Sequence, residues 1–203
     1  MPSLITPAFS DDFAVNIDAL FKHATEADFF EMCEQNPDLH IEMSKEGNVI
    51  TMPPAGAVAS GYLFGLIGNF GTWARKDDTG KGFDSTVLFV LPNGAKRSPD
   101  MSWIKWERWH QLTPEQRKSF PPICPDFVVE LRSPSDRLKD VKDKMEEYMK
   151  CGAQLGWLID PQQKKVYVYC PGQPEEELDN PASISGEPLL KGFVLQLKEY
   201  FSE

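Results

Sequence analysis

Two acidic residues lie where carboxylates could work as a pair. Asp100 opens a predicted strand directly after the Ser98-Pro99 break, and Glu130 lies late on the predicted strand 126–132. Val128 shares a strand face with Glu130, so we expect that face to be at least partly buried. A buried carboxylate needs a cation, a hydrogen-bond donor or a metal as its partner. The ordinary interpretation of either acid alone is a strand-end cap or a salt bridge.

A hard divalent ion is the partner that would make the two acids catalytic. Mg²⁺ prefers carboxylate and carbonyl oxygens, and water completes its shell. Asp100, Glu130 and the main-chain carbonyl of Leu131 could supply such a set. No glycine-rich phosphate loop follows a predicted strand, and no serine has a paired histidine, so nucleotide-phosphate loops and a hydrolase triad are disfavoured.

The elements that must position these acids follow from periodicity and turn residues. Helical spacing predicts helices over 25–34, 58–75 and 137–151 and a short helix that starts at Thr113-Pro114. Alternating or continuous apolar runs predict strands over 39–43 and 49–52, which form a hairpin, and over 86–91, 100–106, 126–132, 155–160, 166–169 and 193–197. This order predicts an α/β or α+β layer fold, with a strand-rich sheet flanked by two main helices.

Breaks and loops complete this prediction. Pro37 is expected to stop the first helix, and Pro53-Pro54 to end the hairpin. Residues 77–82 are predicted to form a loop, and residues 171–188, rich in Pro, Glu and Gly, a mobile acidic loop. Asp136 is a candidate N-cap for the helix 137–151. We predict an irregular arm over 1–24 and a single domain over 25–203.

Composition places the chain among globular proteins. Hydrophobic residues make up 41% and charged residues 26% of its 203 positions, which suffices for a core. Neither a transmembrane helix nor a secretory signal is expected, and four scattered cysteines without a CxxC pair suit reduced thiols in the cytoplasm. The net charge of -10 argues against nonspecific DNA binding by the whole surface, although a local basic groove stays possible.

Four segments together resemble the Uma-two family of restriction-endonuclease-like proteins, within the PD-(D/E)XK nuclease superfamily. They are SPDMSW at 98–103, CPDFVVELRSPSD at 124–136, KMEEY at 144–148 and GAQLGWLIDP at 152–161. The resemblance covers roughly residues 25–170. It implies a restriction-endonuclease-like core, with a central mixed sheet flanked by helices and preceded by an N-terminal helix and hairpin. It also implies Mg²⁺- or Mn²⁺-dependent hydrolysis of DNA phosphodiester bonds, and a homodimer.

The resemblance also implies roles for individual residues. Pro99-Asp100 matches the PD element and Glu130 the (D/E) position. Arg132 occupies the usual lysine slot but cannot deprotonate near neutral pH, so it could instead hold a phosphate. The resemblance places the lysine on the following helix, which points to Lys144.

Two further acids are accessory candidates. Relatives carry a Glu or His near the start of the long helix, where this chain has Ala55-Gly-Ala-Val-Ala-Ser60. Glu42, on the first hairpin strand, could compensate, and Asp126 could support the site from its own strand.

Two other functions stay open at this point. The chain could be a catalytically inactive nuclease-fold module that acts in protein or nucleic-acid interaction. It could also be a nuclease for RNA or branched DNA. Metal dependence separates the first alternative from the DNA endonuclease, and substrate screening separates the second.

Overall fold

The computed structural model describes residues 25–36, 39–52 and 55–202. Its helices are α1 (Glu26–Gln35), α2 (Ala57–Asp77), α3 (Trp106–Trp109), α4 (Pro114–Lys118) and α5 (Leu138–Lys150), followed by a 3₁₀ turn, Lys198–Phe201. The first strands are β1 (Ile41–Met43), β2 (Val49–Thr51), β3 (Gly80–Asp84), β4 (Phe89–Val90), β5 (Lys96–Arg97) and β6 (Met101–Lys105). The remaining strands are β7 (Phe127–Leu131), β8 (Leu155–Asp160), β9 (Lys165–Tyr169), β10 (Glu176–Asp179), β11 (Ser183–Ser185) and β12 (Val194–Gln196).

A six-stranded mixed sheet forms the centre of the fold. Its strand order is β10-β9-β8-β7-β6-β3, and β7–β8 is its parallel pair. Helix α5 makes the crossover between these two parallel strands, as parallel neighbours require. A smaller sheet of order β2-β1-β5-β4 and the β11–β12 pair complete the structure.

The two main helices cover opposite faces of the large sheet. Leu66 and Phe70 of α2 pack on the face that contains Trp103, Val129 and Trp157. The α5 residues Met145 and Tyr148 pack on the other face, against side chains that include Ile104, Val128 and Leu158. The predicted fold class, a mixed central sheet flanked by helices, is therefore confirmed.

The predicted first helix and the hairpin that follows it are also confirmed. Helix α1 begins with a capping box, in which Thr25 accepts from the Asp28 amide and Asp28 accepts from the Thr25 amide. Strands β1 and β2 pair antiparallel as the predicted hairpin. Pro37, Pro53-Pro54 and the arm 1–24 lie outside the described residues, so the division into arm and domain stays a prediction.

The loop predicted for residues 77–82 is wrong, because strand β3 begins at Gly80 and pairs with β6 from Gly80↔Lys105 to Asp84↔Met101. Glycine lowers strand propensity, but it is needed here. A Cβ on Gly80 would lie 2.3 Å from the Trp103 ring and 2.4 Å from the Ile104 carbonyl oxygen. The strand predicted over 86–91 is shorter than expected and covers Phe89–Val90.

The mobile loop predicted for residues 171–188 is also wrong. Strand β10 pairs with β9, and β11 pairs with β12. Strand β10 is mostly exposed and shows no alternation of apolar and polar residues, and the alternation in β11 covers three residues, too few to predict a strand. Asp136 does not cap α5, whose N-cap is Arg137; its carboxylate instead accepts from the Ser133 amide.

Candidate active site

Asp100 and Glu130 lie side by side on the face of the large sheet that α5 covers. Strands β6 and β7 pair antiparallel with Met101 opposite Val129, so the residue before Met101 comes next to the residue after Val129. The Leu131 amide donates to Asp100 Oδ2 over 2.7 Å, which fixes this acid at the end of β7. The two acids singled out from the sequence are thus brought together by one strand pairing.

Lys144 of α5 joins this pair to the small sheet. Its Nζ atom is 2.9 Å from Glu130 Oε1 and 2.8 Å from Glu42 Oε1. Glu42 is on β1, so one ammonium group bridges a carboxylate from each sheet. The side chain of Lys144 is 14% exposed, and both glutamates are buried.

Arg97, Glu147 and Tyr148 surround this bridge, and the sequence analysis did not single out any of them for the site. Arg97 contacts Glu42 Oε2 through Nη1 at 3.1 Å and Glu147 Oε2 through Nε at 2.6 Å. The Tyr148 hydroxyl donates to Glu130 Oε1 over 3.1 Å. Helical spacing could have indicated two of them, because Glu147 and Tyr148 lie three and four residues after Lys144 and therefore share its face of α5.

The pKa shifts separate the carboxylates into two kinds. Burial raises the pKa of Glu130 to about 8, against the opposing effect of Lys144 and with a further increase from Asp100. Burial likewise raises the pKa of Asp100. Burial also opposes ionisation of Glu42, but Lys144 and Arg97 together outweigh it and lower the pKa of that group. Glu42 therefore has enough positive charge around it, while Asp100 and Glu130 do not.

Two of the predicted accessory residues are engaged elsewhere. Asp126 precedes β7 at the end remote from Glu130, where it accepts from the Lys105 amide at 2.9 Å and pairs with Arg108 at 3.0 Å. Arg132 donates from Nη1 to Asp160 over 2.8 Å and from its other nitrogens to the Asp136 carbonyl. The structure does not bring Asp126 to the acid pair, and it gives the guanidinium of Arg132 protein partners.

The donor set suits an ion that retains much of its own water. Within the described part of the chain, no group of three or more His, Cys, Asp or Glu side chains is placed to hold a metal. Mg²⁺ commonly binds through one or two carboxylates and takes its other ligands from water and substrate phosphates. Asp100 and Glu130 fit such an ion, because a divalent cation would offset the cost of ionising two buried acids.

A family model decides the relationship of the chain to known proteins. The Uma2 model, described as "Putative restriction endonuclease", matches residues 26–198. The chain belongs to the Uma2 family. The match includes every residue of the candidate site, from Glu42 on β1 to Tyr148 on α5. No curated protein matches this Uma2 chain significantly.

A solved structure shares the Uma2 fold. It is a "putative nuclease belonging to DUF820" from Anabaena variabilis ATCC 29413, and its sequence is 24% identical. The TM-score is 0.68, over 80% of this chain and 89% of that one. The similarity confirms the fold, a mixed central sheet flanked by helices. Among the described helices of the Uma2 chain, none is long and apolar enough to cross a membrane.

Proposed function

We propose that this Uma2 protein is a Mg²⁺- or Mn²⁺-dependent endonuclease that hydrolyses phosphodiester bonds of DNA. The observation that carries the proposal is the convergence of Asp100 and Glu130 on paired strands, beside the ammonium group of Lys144. The family description supports hydrolysis of nucleic acid and favours DNA over RNA as the substrate.

The chain's own residues divide the work. Asp100 and Glu130, with the main-chain carbonyl of Leu131, would hold the ion. When bound, that ion would activate water and neutralise charge on the phosphate. The pKa of Lys144 is raised because Glu130 and Glu42 outweigh its burial, so it stays an ammonium near neutral pH. Lys144 would therefore orient water or stabilise developing phosphate charge, and would not act as a base.

Glu42 acts through Lys144 in this proposal and does not bind the ion. Its Oε1 atom accepts from the Ser98 amide at 2.8 Å and from Lys144, and its Oε2 atom accepts from Arg97. Both oxygens thus already have charged or main-chain donors. Glu42 is a positioning residue that keeps the Lys144 ammonium beside Glu130.

The setting we propose for this activity is the cytoplasm. The four cysteines, Cys33, Cys124, Cys151 and Cys170, all lie among the described residues and are free thiols. Reduced thiols are typical of the cytoplasm.

A cleavage assay with an Asp100→Asn variant tests the function. Supercoiled plasmid is incubated with the full chain in Mg²⁺, in Mn²⁺ and in EDTA, and parallel reactions contain single-stranded RNA and a four-way DNA junction. We expect metal-dependent nicking of the plasmid that Asp100→Asn reduces at least 100-fold. Asp179→Asn, on the exposed strand β10, is the matched control and should retain activity.

The other outcomes separate the alternatives. Cleavage of only RNA or only the junction would reject the duplex-DNA substrate. Metal binding without cleavage of any substrate would support the inactive nuclease-fold module. Cleavage that persists in Asp100→Asn would reject the assignment of the site.

A further inference from the structure

The outward face of α2 lacks the charges of an ordinary solvent-exposed helix. Residues 57–74 contain no Asp, Glu, Lys or Arg. Phe64 is 83% exposed on this face, and Val58 is 52% exposed. A long helix that is uncharged on its exposed side usually has that side covered by another molecule.

Two glycines on the same face are not required by contacts within the chain. A Cβ added to Gly61 or Gly68 would meet no atom within 4 Å. Each glycine costs a helix interior about 1 kcal/mol relative to alanine. Glycine at these positions would be explained if the main chain of another molecule approaches α2 closely there.

The spacing on this face is self-complementary about the level of Leu66, which itself points to the opposite, buried side of α2. Phe64 lies two residues before Leu66 and Gly68 two after it, while Gly61 lies five before and Gly71 five after. In an antiparallel pair of identical helices related by a two-fold axis at Leu66, each Phe64 ring would face Gly68 of the other copy. Gly61 would face Gly71 in the same way. A two-fold interface requires such matching of one surface with itself.

Charge at the two ends of the face supports the same arrangement. Arg75 lies nine residues after Leu66 and donates to the Thr72 hydroxyl of its own helix over 3.5 Å, the weak limit of a hydrogen bond. Ala57 lies nine residues before Leu66, and it lines an open cleft together with Glu199. In the antiparallel pair, Arg75 of one copy would reach the cleft that contains Glu199 of the other.

We propose that the outward face of α2 binds a second copy of this chain, with the two α2 helices antiparallel and the two-fold axis at Leu66. The proposal does not depend on nuclease activity, because α2 and the acid pair lie on opposite faces of the large sheet. The α2 interface of such a dimer would therefore cover neither candidate site.

Sedimentation equilibrium of the full chain and its Phe64→Glu variant tests the proposal. We expect the unmodified chain to be dimeric at micromolar concentration and Phe64→Glu to raise the dimer dissociation constant at least 100-fold. Leu39→Glu is the matched control, since Leu39 is 54% exposed outside α2, and it should leave the dimer unchanged. Circular dichroism and the Tm of Phe64→Glu show whether it folds. A monomeric unmodified chain, or a folded Phe64→Glu variant that stays dimeric, would overturn the proposal.

Charge reversal tests the orientation, also when Phe64→Glu fails to fold. Arg75→Glu and Glu199→Arg should each raise the dissociation constant about tenfold, and the double variant should restore it. Single variants without effect, or a double variant without rescue, would contradict the antiparallel register.

Deletion of residues 2–24 tests whether the N-terminal segment forms the dimer instead. A deletion variant that stays dimeric supports α2 as the interface, while a monomeric one would assign dimerisation to the N-terminal segment.

Discussion

Lys144 carries one positive charge between two buried carboxylates that belong to different sheets. Each of these glutamates is tied by a second group as well, Glu42 by Arg97 and Glu130 by the Tyr148 hydroxyl. The residue that we propose to work on the phosphate is therefore also a structural counter-ion. Its substitution should affect stability and activity together, which makes the choice of control important.

Lys144→Met tests this double role. Removal of the ammonium takes away one of the two cations beside Glu42, which is buried and ionised, and breaking a buried pair costs about 3–5 kcal/mol. We expect a loss of about 3 kcal/mol in the free energy of unfolding, measured by urea denaturation at pH 7, and loss of cleavage. Lys139→Met is the control, because the Lys139–Asp143 pair on the same helix is exposed to solvent and should contribute little to stability. Equal stability losses in both variants would contradict the prediction.

The raised pKa of Glu130 predicts how stability depends on pH in EDTA. A glutamate in the unfolded chain titrates near about 4.3, whereas burial raises the pKa of Glu130 in the folded chain to about 8. Between these values the folded chain keeps a proton that the unfolded chain has lost. Rising pH therefore favours unfolding there, by up to about 1.4 kcal/mol per pH unit.

Glu130→Gln should remove this contribution. The difference in free energy of unfolding between Glu130→Gln and the unmodified chain should shift steadily in favour of the variant as the pH rises from 5 to 8. The two are measured by urea denaturation at matched ionic strength. Parallel pH profiles would contradict a raised pKa at Glu130.

At the scale of elements, two glycines of the large sheet are closely packed, Gly80 against the neighbouring strand β6 and Gly156 against helix α5. A Cβ on Gly80 would meet the Ile104 carbonyl oxygen at 2.4 Å, which is fixed main chain. A Cβ on Gly156 of β8 would meet the methyl ends of Met145 and Met149, at 2.5 and 3.0 Å. Methionine ends move readily, and main chain does not.

Gly80→Ala should therefore be much more harmful than Gly156→Ala. We expect Gly80→Ala to lower the free energy of unfolding by about 3 kcal/mol and Gly156→Ala by less than about 1.5 kcal/mol. Thermal or urea denaturation of the two variants measures the difference. A milder effect for Gly80→Ala would mean that β3 adapts without losing its pairing with β6.

Elements were predictable from the sequence where one face is apolar. Helix α5 and strand β7 have apolar residues at regular spacing, and both were predicted to within about two residues. Strands β3 and β10 were missed because their own residues carry no strand pattern and pairing with a neighbouring strand makes them strands. Strand β11 was missed because its alternation covers three residues.

The residues of the candidate site were likewise predictable where local sequence features mark them, and were missed where their role depends on contacts distant in the sequence. Asp100 and Glu130 stood out because each adjoins a proline break and a predicted strand. Arg97 contacts Glu42 and Glu147, which are 55 and 50 residues away in the sequence. Local residue spacing therefore cannot predict these contacts. Tyr148 matched the apolar face of α5, which hides the hydrogen bond of its hydroxyl to Glu130.

At the scale of the whole molecule, the net charge of -10 opposes nucleic acid everywhere except near local cations. A divalent ion between Asp100 and Glu130 would also lower the negative charge where a phosphate must approach. We therefore expect the ion to contribute to folding stability as well as to chemistry, since it would bind the folded chain and not the unfolded one.

Mn²⁺ at 100-fold above its Kd should stabilise the folded chain by about 2.7 kcal/mol, which raises the Tm by about 5 °C or more. Differential scanning calorimetry at pH 8 measures the shift, with EDTA as the reference. Asp100→Asn should abolish it, and Asp179→Asn should retain it. An equal shift in both variants would place the ion elsewhere.

The contact of Lys144 with both sheets has one more consequence. Glu42 comes from a strand of three residues in a hairpin, whereas Glu130 comes from the middle of the large sheet. Short peripheral hairpins open locally at a much lower energetic cost than a protein's central strands. If the β1–β2 hairpin opened locally, the large sheet and its core would stay folded. Lys144 would then lose its contact with Glu42 and keep the one with Glu130. Inactivation by mild heat would then precede melting and reverse on cooling.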